Sequence, residues 1–192
     1  MKVDVRPAAV SRFDDVAVML GPKNPTSSVC WCLSHRVDSK TNKALVGEAR
    51  GAYVQKLCHR KIAPGVLAYE GDEVVGWAPE RPHRQVVDVR DEPGALERQL
   101  RPGGDRRVRV RPGHRGQGIA PQLVEGAAEY ARSEGAPTVE GYPVDNGGRK
   151  VDLTMAFVGT RSMFETAGFT AVADTRAVAG GFPRILMRRS LT

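Results

Sequence analysis

The chain has 192 residues, 41% hydrophobic and 27% charged, with a formal net charge of +7. These values fit one soluble globular domain, residues 1–192, long enough to bury a core. They exclude a membrane-spanning class, because no apolar run approaches the ~20 residues that cross a bilayer. The opening Met1-Lys-Val-Asp-Val-Arg holds no hydrophobic stretch of a secretion signal. The three cysteines, Cys30, Cys32 and Cys58, are an odd number in a chain too large to need staples. Together these features predict a cytoplasmic protein.

In chain order, residues 2–6 alternate, with Val3 and Val5 on one face, and predict a first strand. Ser11 is the expected N-cap of a helix using Phe13, Val16, Val18, Met19 and Leu20, with Asp14 in the capping-box place; Gly21-Pro22 stops it. Residues 21–40 read as a loop carrying Cys30-Trp31-Cys32 and His35. Thr41 opens a second helix whose apolar positions run from Leu45 to Leu57, weakened by Gly47 and Gly51. Residues 66–69 and 74–78 form a predicted hairpin around Glu70-Gly71-Asp72. Residues 79–105 are polar and turn-rich, with a short helical piece at 94–100. Residues 108–111 are the next strand and 119–133 a helix, with Pro121 in its first turn and Gly135 as its C-cap. A strand at 138–142, a loop at 145–148, a short helix at 160–167 and strands at 169–173 and 184–188 complete the order β-α-α-β-β-β-α-β-α-β-β. The expected fold is a single α/β (α+β) domain.

The stretch between the strand at 108–111 and the following helix carries three glycines, Gly113, Gly116 and Gly118. A strand, a glycine turn and a helix N-terminus together make an anion site: the first N–H groups of a helix lack intrahelical partners and lie at the positive end of its dipole. A P-loop is excluded, because Ile119 and Ala120 stand where it needs Lys and Ser or Thr. A dinucleotide fingerprint needs Gly-x-Gly-x-x-Gly, and this chain has Gly-x-x-Gly-x-Gly.

The run Val110-Arg-Pro-Gly-His-Arg-Gly-Gln-Gly-Ile-Ala120 resembles motif A of the Gcn5-related N-acetyltransferase (GNAT) superfamily, whose core Arg/Gln-x-x-Gly-x-Gly/Ala is matched by Arg115, Gly118 and Ala120. Residues 162–169, ending in Gly168-Phe169, resemble the family's closing helix-to-strand segment. The resemblance implies a GNAT-like mixed central sheet of about 6–7 strands flanked by about four helices, in the order read above. It implies acetyl-CoA as co-substrate, without a metal. Its pyrophosphate would lie on Arg115, Gly116, Gln117, Gly118, Ile119 and Ala120. Its pantetheine arm would pair with Val108, Arg109 and Val110. The expected activity is transfer of an acetyl group to a primary amine of a small molecule or protein.

Amine attack needs a base, and the departing thiolate can use an acid. In the resembled family a carboxylate on a central strand often serves as base and a tyrosine on the last helix as acid. Glu140 is the corresponding carboxylate; its alternative roles are to point away from the cleft or to pair with an arginine. Phe164 stands at the tyrosine place, so either no acid is needed, a thiol being a tolerable leaving group, or Tyr142 is the candidate acid, its alternative role being a core aromatic. The polar run Gly103-Gly-Asp-Arg-Arg departs from the apolar lead-in usual for the motif strand. Trp31 is the candidate acceptor-binding residue. The Cys-x-Cys spacing does not match a zinc site, so no metal is expected. Two other readings remain. One is a catalytically degenerate CoA-binding protein. The other is a nucleic-acid-binding module using the seven arginines of residues 98–115, for which no helix-turn-helix or RRM pattern speaks. The expected partners are acetyl-CoA and an amine acceptor, with no membrane and no nucleic acid; a homodimer is left open.

Overall fold

A computed structural model describes residues 2–24, 27, 31, 33, 36–79, 108–151 and 159–192. The first sheet holds β1 (Asp4–Pro7), β2 (Gly65–Glu70), β3 (Glu73–Pro79) and β4 (Arg109–Val110), antiparallel throughout and in the order β1-β2-β3-β4. The second holds β5 (Thr138–Gly141), β6 (Thr170–Ala179) and β7 (Phe182–Ser190), antiparallel and in the order β5-β7-β6. The helices are α1 (Phe13–Leu20), α2 (Ser39–Ala44), α3 (Glu48–Cys58), α4 (Ile119–Ser133) and α5 (Arg161–Thr166).

Strands β2 and β3 are buried on both faces, which explains their nearly unbroken apolar sequences. Leu67, Tyr69 and Trp77 face α1 and α3, joining Val16, Met19, Leu20, Val54 and Leu57 in one cluster. Val66, Ala68, Val75 and Ala78 face α4, joining Ile119, Leu123 and Ala127 in another. Two glycines set how closely α4 lies on the sheet. A Cβ on Gly76 would come within 2.6 Å of Leu123 Cδ1, and one on Gly126 within 2.5 Å of Val5 Cγ1. A helix seated this tightly brings its N-terminus to the end of β4.

Four expectations need correction. Ser11 is not a helix cap: it lies in a 3-10 turn, Val10–Arg12, and α1 starts after Arg12 with no side-chain cap. The second helix is two, α2 and α3, broken at Gly47, whose φ of 52° and ψ of −132° only glycine adopts readily. Asp38 caps α2, accepting from the Thr41 N–H at 2.8 Å. Buried Arg50 fastens the break, donating to the carbonyls of Asn42 (3.0 Å) and Leu45 (2.8 Å). β4 is shorter than expected, because Pro112 lacks an N–H and Gly113 turns the chain at φ 92°. β6 and β7 are longer than expected and form one ribbon. The helical piece at 94–100 and the lead-in at 103–107 lie outside the described residues.

Candidate active site

The last ladder pairs of the first sheet are Gly76 with Val110 and Trp77 with Arg109. The Arg111 N–H extends the contact to the Val75 carbonyl at 2.9 Å. The chain then enters the glycine turn. Gly113, Gly116 and Gly118 have φ of 92°, 76° and 74°, in the left-handed region. A Cβ on any of them would meet no atom of the described residues within 4 Å. They therefore serve the backbone path, and they leave the outer face of the turn bare. Side chains pin the turn from within the protein. His114 Nδ1 lies 3.0 Å from Glu70 Oε2, and Arg111 pairs with Glu73 at 2.7 Å. Gln117 donates to the Gly113 carbonyl at 3.1 Å, and Arg115 Nε to the Val110 carbonyl at 3.3 Å.

Helix α4 starts at Gly118 with no side chain capping it and no acidic residue in its first turn. Gln122, which could reach back, instead donates to the Gly118 carbonyl (3.1 Å) and accepts from the Val3 N–H (3.0 Å). A 15-residue helix thus presents its positive end, with no side-chain cap among the described residues, to an exposed glycine turn. The arrangement suits a phosphate group.

Beside the turn, β4 and β5 belong to different sheets, and no ladder joins them among the described residues. Val108 and Val139 nevertheless pack on one cluster with Val124 and Ala128 of α4. The gap between the strands is therefore closed on one side by α4. Residues alternating with these valines point to the other side. Arg109 donates to the Met19 carbonyl of α1 at 3.2 Å. Glu140 and Tyr142 lie opposite Gly141, against whose Cα the Phe164 ring rests; a Cβ there would stand 2.0 Å from Phe164 Cε1. Phe164 also meets the Phe169 ring edge-on at 5.1 Å, so it is a packing residue behind β5.

Glu140 and Arg188 are register partners across β5 and β7. Arg188 donates to Glu140 Oε1 from Nε at 2.9 Å and Nη2 at 2.6 Å, with the two side chains 20% and 10% exposed. Tyr142, 3% exposed, donates its hydroxyl to Glu140 Oε2 at 3.3 Å, and Arg184 donates to the Tyr142 carbonyl at 2.8 Å. Glu140 and Tyr142 are thus brought together, and Arg188 is added to them. No local signal in the sequence announces Arg188: only the β5–β7 register puts it opposite Glu140.

Trp31 sits in the other cluster. It stacks on Phe13 at 6.0 Å and fills the space left at Gly21 and Gly51, between α1 and α3. Arg111 is held by Glu73, so part of the arginine cluster is structural; Arg98, Arg101, Arg106 and Arg107 lie outside the described residues. Cys30, Cys32 and His35 lie outside them too. Among the described residues no group of three or more His, Cys, Asp or Glu could hold a metal ion, and no helix is long and apolar enough to cross a membrane. Burial pushes the Cys58 thiol up to about 11, against a smaller opposing effect of Arg36. Burial, and then the 2.6 Å hydrogen bond to Asp15, hold the Tyr69 phenol above its ordinary range.

The Acetyltransferase (GNAT) family matches residues 36–146. No curated protein matches the chain. Among solved structures, mosquito arylalkylamine N-acetyltransferase like 5b is similar at 10% identity and a TM-score of 0.54, covering 98% of this chain and 100% of its own. A GNAT-family acetyltransferase from Streptococcus pneumoniae is similar at 13% identity and a TM-score of 0.52, covering 100% of both chains. The protein yncA from Salmonella typhimurium, solved with its cofactor acetyl-CoA, is similar at 16% identity and a TM-score of 0.50, covering 100% of this chain and 95% of its own. These likenesses show the fold.

Proposed function

The chain belongs to the acetyltransferase (GNAT) family, and on that premise we propose that it moves an acetyl group from acetyl-CoA to a primary amine. The observation that carries the reading is the uncapped N-terminus of α4 behind a glycine turn whose outer face is bare. Backbone N–H groups of Gly116, Gln117, Gly118, Ile119 and Ala120 hold the pyrophosphate, with Arg115 as a charged partner. The edge of Val108, Arg109 and Val110 turned away from β3 holds the peptide-like arm, which reaches into the gap between β4 and β5. When bound, acetyl-CoA supplies a thioester carbonyl open to attack.

The amine enters from the face shared by Arg109, Glu140 and Tyr142. Glu140 attracts the ammonium and accepts its proton, directly or through water, so that the neutral amine can attack. Arg188 occupies Oε1 and leaves Oε2 facing Tyr142. The Tyr142 hydroxyl is the proton donor for the leaving thiolate, a role Phe164 has no group to fill. Trp31 supports the acceptor side by holding α1 against α3.

The test is release of free CoA thiol with a reactive amine, measured beside acetyl-CoA binding by calorimetry. Glu140→Gln keeps an acceptor for Arg188, and a melting curve checks that it folds. It should lower turnover ~100-fold or more while leaving binding unchanged. Tyr142→Phe should lower turnover less. Wild-type turnover in Glu140→Gln would remove Glu140 from the mechanism, and in Tyr142→Phe would remove the tyrosine.

A further inference from the structure

The β2–β3 hairpin closes on like charges. Glu70 and Glu73 are the last register partners of its ladder, and Gly71-Asp72 is the turn between them. Directly opposed like charges weaken an antiparallel pair.

The compensation comes from the chain that follows β4. Arg111 Nη1 donates to Glu73 Oε1 at 2.7 Å and to the Val74 carbonyl at 3.0 Å. His114 Nδ1 lies 3.0 Å from Glu70 Oε2, and its Nε2 lies 4.0 Å from Glu73 Oε2. A carboxylate can only accept, so Nδ1 carries the hydrogen. The His114 N–H donates to the Arg111 carbonyl at 3.1 Å, which fixes the two residues relative to each other.

The glycine turn has little else to hold its shape. The side chains of Arg115 and Gln117 bond to the Val110 and Gly113 carbonyls, within the turn or the strand feeding it. Among the described residues, Arg111 and His114 are the side chains of residues 111–117 whose hydrogen bonds reach an element outside β4. Three glycines give this backbone wide freedom. A phosphate that binds there must fix it, and a turn fixed beforehand loses less on binding.

We propose that Glu70 and His114 are positioning residues for the co-substrate. The hairpin carboxylates hold His114 and Arg111, and through them the N–H groups of the turn, in the arrangement a pyrophosphate needs. The carboxylates act through the turn, because an acid touching the pyrophosphate would repel it. This role rests on the reading of the turn as an acetyl-CoA site. It also opposes simple electrostatics: removing an acid near an anion site should tighten anion binding, whereas losing the clamp should weaken it.

Acetyl-CoA binding by calorimetry and steady-state thiol release with a reactive amine test this on the full-length protein, with melting curves as the check on folding. The side chains of His114 and Glu70 are 21% and 41% exposed, so His114→Ala and Glu70→Ala should fold. Each should raise the Kd and KM for acetyl-CoA about tenfold and leave kcat within about twofold of wild type. The double variant should bind no more weakly than either single, because both remove the same contact. His114→Asn puts an amide donor near the place of Nδ1 and should restore most of the affinity. Wild-type affinity in the singles, tighter binding in Glu70→Ala, an additive double variant or no rescue by asparagine would each overturn the positioning role. A wild type that binds no acetyl-CoA would overturn the reading of the turn itself, and the role with it.

Discussion

Substituting Gly118 by alanine separates what the glycine turn does for the fold from what it does for a ligand. Gly118 is the N-cap of α4, at φ 74° and ψ 16°, and a Cβ there meets no atom of the described residues within 4 Å. The cost to the fold is the left-handed backbone alone, about 1–2 kcal/mol. In a chain of this length that lowers Tm by roughly 2–8 °C. The cost to a phosphate ligand is larger, because the methyl group stands on the bare face the ligand must approach. Losing one charge-assisted backbone contact costs about 1.5–3 kcal/mol, or about 10- to 150-fold in Kd. Gly135→Ala is the control. Gly135 follows the other end of the same helix at φ 83°, and its Cβ position is equally empty. The two variants should melt alike, while only Gly118→Ala loses acetyl-CoA affinity by calorimetry. Equal affinity in both variants, whether lost or retained, would refute the assignment of the turn.

Three further outcomes follow from packing and charge. Arg188→Gln leaves a mostly buried Glu140 carboxylate without its counter-charge, and should destabilise by about 3 kcal/mol in chemical denaturation; the double variant with Glu140→Gln should recover much of that loss. Phe164→Tyr should not raise turnover, because the ring lies behind Gly141 on the face away from Glu140, and burying a phenol hydroxyl there should cost about 1–3 kcal/mol. The Cys58 thiol titrates at about 11 when folded and at its ordinary 9.0 when unfolded. Its contribution to stability is complete below pH 9 and falls as pH rises from 9 to 11, and it should not react with thiol reagents at pH 8 until the chain unfolds.

The parts legible in the sequence were those with local causes. Helix α4 starts and stops where Gly118 and Gly135 say it should, and the hairpin turns at Gly71, at φ 60°. The glycine turn was recognisable because its spacing, strand and helix are contiguous. The break between α2 and α3 was not foreseen, since Gly47 costs a continuous helix only about 1 kcal/mol; the buried Arg50 contacts that fasten it are tertiary. Strand β6 runs on past Ala173, because Asp174, Thr175 and Arg176 are at home on an exposed edge strand. The pairing of Glu140 with Arg188, 48 positions away, depends on a strand register that no local pattern encodes.

The most direct measurement incubates the purified protein with acetyl-CoA and a panel of primary amines, and follows free CoA thiol together with the mass of the amine. The account predicts thiol release that depends on the amine, with a product heavier by one acetyl group, and loss of both in Glu140→Gln. Tight acetyl-CoA binding with no amine-dependent release across small-molecule, lysine and N-terminal acceptors would contradict it.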